Sequence, residues 1–152
     1  MAHAIDYIAN WQYSNSTRRR RRWQGGRTIS FGDTPMSSNA KDYYENNAVA
    51  MKPVRAAMAD LIKGFGGLHQ AAMKGGALTV VEKELMALAI GLAVRCENCI
   101  YAHVQAAQNA GATREQILEA AGVAVLMQGG PTYTYLPRVI EALDAIAERL
   151  AN

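Results

Sequence analysis

Two capping boxes frame the middle of this chain and leave little choice but helix. Thr-Val-Val-Glu at 79–82 and Thr-Arg-Glu-Gln at 113–116 each put a hydroxyl at an N-cap and a Glu or Gln three residues later, the reciprocal pairing that opens an α-helix. The first runs into KELMALAIGLAV (83–94), apolar on nearly every side and therefore expected to be a central, buried helix. The second runs into ILEAAGVAVLM and down to Gly129 and Gly130. Between them, CENCIYAHVQAAQNAG (96–111) reads as a further helix stopped at Gly111. Upstream, Val54, Met58, Leu61, Ile62 and Phe65 recur at helical spacing, with Gly64, Gly66 and Gly67 expected to loosen or stop that helix. Asn39 or Ser38 can cap a first segment near 40–51, which Pro53 would interrupt or restart. Pro131 can begin a final helix through TYLPRVIEALDAIAERL, with Pro137 as an interruption or restart. No run alternates at the period of a strand. The expected fold is all-α, in one domain over residues 36–152.

Half of the 152 residues are apolar, enough for a modest core, yet no apolar run reaches the eighteen residues that a membrane span needs. The net charge of +3 is unevenly spread. Residues 1–35 carry six arginines against Asp6 and Asp33, whereas residues 36–152 carry ten Lys or Arg against eleven acids. The helical part therefore gives no electrostatic case for nucleic acid as a partner. Residues 1–35, with Arg18–Arg22 in a block, have neither period and read as a disordered leader. A basic tail and an organellar transit peptide are the rival readings. The favoured expectation is that the leader is upstream sequence and that Met36 begins the native domain, because composition and charge both change there. With no apolar signal core and only two cysteines, the expected compartment is the reducing cytoplasm.

Both cysteines fall in RCENCIYAH (95–103), as does one of the three histidines. In a helix that starts at or just before Cys96, the residues Cys96, Cys99 and His103 share one face. A helix N-terminus favours thiolate over thiol, His103 one turn below can take the Cys99 proton, and Cys96 can close a disulfide behind it. Two bland readings compete with this redox pair. A zinc site would need a fourth ligand, for which the chain offers only His69 or a carboxylate. A structural staple over so short a loop would remove little unfolded-state entropy. Glu84 lines up with Val80, Leu88 and Gly91, costly company for a carboxylate unless it is paired, and a histidine on the next helix would be a natural partner. An ion-paired acid without catalytic role fits the same spacing. Glu82 belongs to the capping box, and Tyr101, Tyr133 and Tyr135 read as core or interface residues. A redox Cys-x-x-Cys usually sits on a βαβ scaffold, and that pattern is missing here.

The stretch EKELMALAIGLAVRCENCIYAHVQAAQNAGATREQILEA (82–120) resembles the alkylhydroperoxidase D-like branch of the carboxymuconolactone decarboxylase family. The likeness lies in a glutamate twelve residues before the first cysteine, then Cys-x-x-Cys-x-x-x-His, then a small-residue helix and Gly-Ala-Thr. The ending MQGGPTYTYLPRVIEALD is also similar to short single-domain members. The resemblance implies a compact all-α domain assembled as a homo-trimer or homo-hexamer. It implies a thiol-dependent peroxidase or disulfide reductase that needs no cofactor or metal. Hydroperoxide would be its substrate, and a dithiol or lipoyl-type group its reductant. Carried over, Cys99 attacks, Cys96 resolves, His103 is the base and Glu84 supports it. One departure is Asn98, where the best-studied type has a histidine beside the second cysteine; Asn cannot shuttle a proton, which implies a shorter relay and slower turnover. The decarboxylase branch lacks the cysteine pair, which argues against lactone decarboxylation. The alternative expectation is a non-catalytic redox-sensing or metal-binding oligomer built on the same face.

Overall fold

A computed structural model describes residues 39–151, and every regular element among them is an α-helix. The expectations for the leader over 1–35 lie outside the described residues. Helix α1 spans Ala40–Ala50, α2 Lys52–Ala57, α3 Ala59–Met73 and α4 Val80–Ala93. Then come α5 over Glu97–Asn109, α6 over Arg114–Gln128, the single turn α7 over Gly130–Tyr133, and α8 over Leu136–Ala151.

Local chemistry sets these boundaries. Asn39 caps α1 by accepting from the Asp42 backbone N–H at 2.9 Å. Both capping boxes form as read. Thr79 accepts from the Glu82 N–H while Glu82 accepts from the Thr79 N–H, and Thr113 and Gln116 repeat the exchange. Glu82 is thus a structural acid, and its bonds to the Thr79 backbone and hydroxyl hold its carboxyl below the usual range. Gly111, at φ +99°, ends α5 in the left-handed conformation that suits glycine. Pro137 sits in the first turn of α8, where a missing N–H costs nothing.

Helices α4, α5, α6 and α8 enclose the core. Leu88 and Leu92 of α4 meet Ile100, Tyr101, Val104 and Ala107 of α5, with Ile117 and Ala121 of α6 and Val139 and Leu143 of α8 closing around them. Helix α4 packs most extensively on α5 and α6, α5 on α8, and α1 lies across α5 and α8.

Two elements differ from expectation. The helix read as continuous from Val54 to Phe65 breaks at Met58, which takes φ −133° and ψ 43°. Beyond the break, α3 passes through Gly64, Gly66 and Gly67 without stopping. Lys83 helps to end it downstream, its Nζ donating to the carbonyls of Ala72 at 2.8 Å and Lys74 at 2.6 Å. The second difference is α4, which is buried on one side only. Glu84, Leu88, Gly91 and Leu92 face inward, while Met86, Ile90 and Val94 form an exposed stripe on the other side.

Candidate active site

The turn between α4 and α5 builds the site. The Cys96 N–H donates to Gly91 O at 2.9 Å and the Arg95 N–H to Leu92 O at 3.1 Å, which together form a Schellman ending for α4. Arg95 takes the left-handed position of that motif at φ +58°, where glycine is the usual occupant. The turn delivers Cys96 directly to the N-cap of α5. There its Sγ accepts from the Cys99 N–H at 3.3 Å, the task that Ser or Asp performs in most helices. Cys96 and Cys99 are joined as a disulfide across a Cα separation of 5.2 Å, and both are half-buried. Cys99 lies in the first turn of α5, where unpaired N–H groups and the positive end of the helix dipole favour a thiolate.

Glu84 and His103 come together as the helical spacing suggested. His103 Nδ1 donates to Glu84 Oε2 at 2.7 Å across the α4–α5 interface. Glu84 is 4 % exposed, so its carboxylate depends on that partner. The His103 side chain is 21 % exposed, and with Nδ1 committed to Glu84, Nε2 is the nitrogen left for proton transfer. His69, weighed as a fourth metal ligand, lies exposed on α3. Among the described residues no group of three His, Cys, Asp or Glu is placed to hold a metal ion. Tyr101 is fully buried, its ring against Tyr43 and Tyr44, and burial pushes its phenol up to about 12. That makes it a core residue, not an acid for the site.

Three neighbours escaped the sequence reading. Gly91 lies against Cys99: a Cβ there would come within 3.1 Å of Cys99 Cβ and 3.6 Å of its carbonyl carbon, so a side chain would require the cysteine to yield by a few tenths of an ångström. Arg95 offered no signal, since nothing in the local pattern demands a left-handed non-glycine residue. The third is Arg138 of α8, whose Nε stands 3.2 Å from Oε1 of Glu97, a residue between the two cysteines. A cleft of about 320 Å³ opens beside this pair, lined by Glu97, Thr134, Tyr135, Pro137 and Arg138.

Comparison with known proteins falls on the same region. The family model described as "Carboxymuconolactone decarboxylase family" matches residues 59–142. Protein 4 in the cox locus of Paracoccus denitrificans is 34 % identical over 99 residues, 65 % of this chain and 89 % of its own. The crystal structure of an apo carboxymuconolactone decarboxylase family protein from Legionella pneumophila is 39 % identical. It covers 72 % of this chain and 95 % of its own at a TM-score of 0.63. A Thermotoga maritima structure from that family is 33 % identical, covering 60 % of this chain and 94 % of its own at a TM-score of 0.56. Its description links it, as a possibility, to an antioxidative response.

Proposed function

The chain belongs to the carboxymuconolactone decarboxylase family, and from that premise we propose that it is a cofactor-free thiol peroxidase that works through Cys99 and Cys96. The observation that carries this reading is the 2.7 Å bond between His103 and the buried Glu84, on the helix whose first turn holds a disulfide-forming cysteine pair. A structural staple would need no oriented imidazole one turn below it.

In the reduced protein His103 Nε2 takes the Cys99 proton, directly or through a water. The thiolate attacks the terminal oxygen of a hydroperoxide, so that an S–O bond forms, the O–O bond breaks, and the imidazolium returns its proton to the departing alkoxide. Cys99 is left as a sulfenic acid. Cys96 attacks its sulfur, the Cys96–Cys99 bond forms and water departs. A dithiol or lipoyl-type reductant then restores both thiols by exchange. The balance is one hydroperoxide and one dithiol consumed, one alcohol, one water and one disulfide formed. Glu84 holds the ring and stabilises its charged form. A reducing cytoplasm suits this cycle, and a homo-trimer or homo-hexamer suits the apolar faces left open on α3, α4 and α6.

The test is hydroperoxide consumption with a dithiol donor. Cys99→Ser should lose it altogether, and Cys96→Ser should still form a sulfenic acid that dimedone traps. Equal residual activity in the two variants would remove the assigned roles, and stoichiometric zinc in fresh protein would favour the metal-binding alternative.

A further inference from the structure

Glu97 is an awkward residue for a thiolate site. It is the first residue of α5 and stands between Cys96 and Cys99 in the sequence, so its carboxylate adds a negative charge to the same helix turn whose positive end must favour a thiolate. The fold answers with an anchored cation. Arg138 Nε lies 3.2 Å from Glu97 Oε1, and its NH1 donates to Glu141 Oε2 at 2.9 Å. Glu141 is itself fixed: its Oε1 accepts from the Ala40 N–H at 3.1 Å, at the start of α1, and its Oε2 accepts from the buried Tyr101 hydroxyl at 3.4 Å. Arg138 is thus held from behind while it holds Glu97, unlike a lone pair of solvated side chains.

We propose that Arg138 is a positioning residue of the thiol site, which draws the Glu97 carboxylate onto α8 and offsets its charge so that Cys99 can ionise. This rests on the reading of Cys99 as the nucleophile. The other groups around the turn do not replace it. Glu84 is occupied by His103, and the phenol of Tyr44 donates to Tyr101 O at 2.9 Å. Arg95 is exposed beside Cys96, and the ion pair of Glu97 is made with Arg138. A carboxylate left unpaired in the same half-exposed helix turn as the sulfur opposes thiol ionisation by at most about one pH unit, or roughly tenfold in thiolate at neutral pH before salt screening reduces it.

The experiment measures the rate at which Cys99 reacts with iodoacetamide, a neutral probe that Glu97 does not repel, in full-length reduced protein carrying Cys96→Ser. Arg138→Met should slow the reaction about 3- to 10-fold at pH 7. Glu97→Gln should react at least as fast as the parent, and Arg138→Met/Glu97→Gln should return to within about twofold of it. Arg138→Lys, which keeps the charge and serves if the Met variant folds poorly, should lose less than the Met variant does. A double variant as slow as Arg138→Met would overturn the proposal, because Arg138 would then act only through Glu141 and the packing of α8. So would an Arg138→Met protein that reacts like the parent. If the parent itself reacts no faster than an ordinary peptide thiol, the peroxidase reading fails instead, and the ratios among variants still judge Arg138.

Discussion

Glu84 and His103 depend on each other unequally. His103 reaches solvent, but Glu84 is enclosed by α4, α5 and the core, and its carboxyl group has the imidazole as its bonded partner. Removing the ring alone leaves a buried polar group without that partner, a cost of about 2–4 kcal/mol. His103→Ala is therefore expected to lower thermal stability as well as the proposed peroxidase activity. Glu84→Gln should keep most of the stability, since an amide can still accept from Nδ1, yet lose about 10- to 100-fold in rate because the imidazolium loses its counter-charge. The double variant Glu84→Gln/His103→Ala should regain stability over His103→Ala without regaining activity. Parallel melting curves and initial rates check this, and a double variant as unstable as His103→Ala would mean that the pair matters only as packing. This part of the site was legible from sequence because it is local. Cys96, Cys99 and His103 lie on one helix at a spacing that fixes their common face, and Glu84 betrays itself as an acid on an otherwise apolar face. Gly91 and Arg138 were not legible for the opposite reason. Their importance comes from contacts across helices, and helical spacing says nothing about which residue of α8 will meet the first residue of α5.

At the scale of the element, α4 and α5 behave as one device joined by the three residues Val94, Arg95 and Cys96. The Schellman ending of α4 and the N-cap of α5 share Cys96, so the residue that satisfies one helix end also begins the next. The strain in that device sits on Arg95, a left-handed residue with a side chain. Such a conformation costs roughly 1–2 kcal/mol for an L-residue, and glycine gives back about 0.5–1 kcal/mol of that through its freer unfolded state. Arg95→Gly should thus stabilise the protein by about 0.5–1 kcal/mol, a rise of roughly 2–6 °C in Tm for a domain of this size. The arginine is exposed, so little packing is lost. A calorimetric scan decides, and a fall in Tm would assign Arg95 a stabilising contact that outweighs its backbone. The boundaries around this turn followed from capping residues and glycines, which act within a few positions. The break at Met58 and the continuation of α3 through three glycines did not, because neither capping pattern nor propensity decides a helix whose packing is set elsewhere.

The described residues leave many large apolar side chains open, in stripes on three helices. Leu61, Phe65 and Leu68 of α3 are 60 %, 66 % and 66 % exposed, and Met86 and Ile90 of α4, Val94 at its C-cap, and Val123, Leu126 and Met127 of α6 are also open. Helix α3 presses the point further. It is 15 residues long with three glycines, each costing about 0.8–1 kcal/mol against alanine, and among the described residues no atom of another element lies within 4 Å of where their Cβ atoms would be. Among the described residues α3 makes only slight contact with α2 and α4, so apart from the Lys83 bonds at its end little there repays that cost. A helix of such composition is stable where its apolar face is covered, and in the proposed homo-trimer or homo-hexamer a second copy would supply a face of matching chemistry. On that proposal, sedimentation should give three or six times the chain mass. Phe65→Glu or Ile90→Glu should shift it toward the monomer, with a loss of helical circular dichroism equivalent to about the length of α3. Dilution of the parent protein should reproduce both changes over one concentration range, because assembly and the order of α3 are the same event. A parent that sediments as a monomer with its full helix content would show that α3 stands without a partner, and the open faces would then need another explanation.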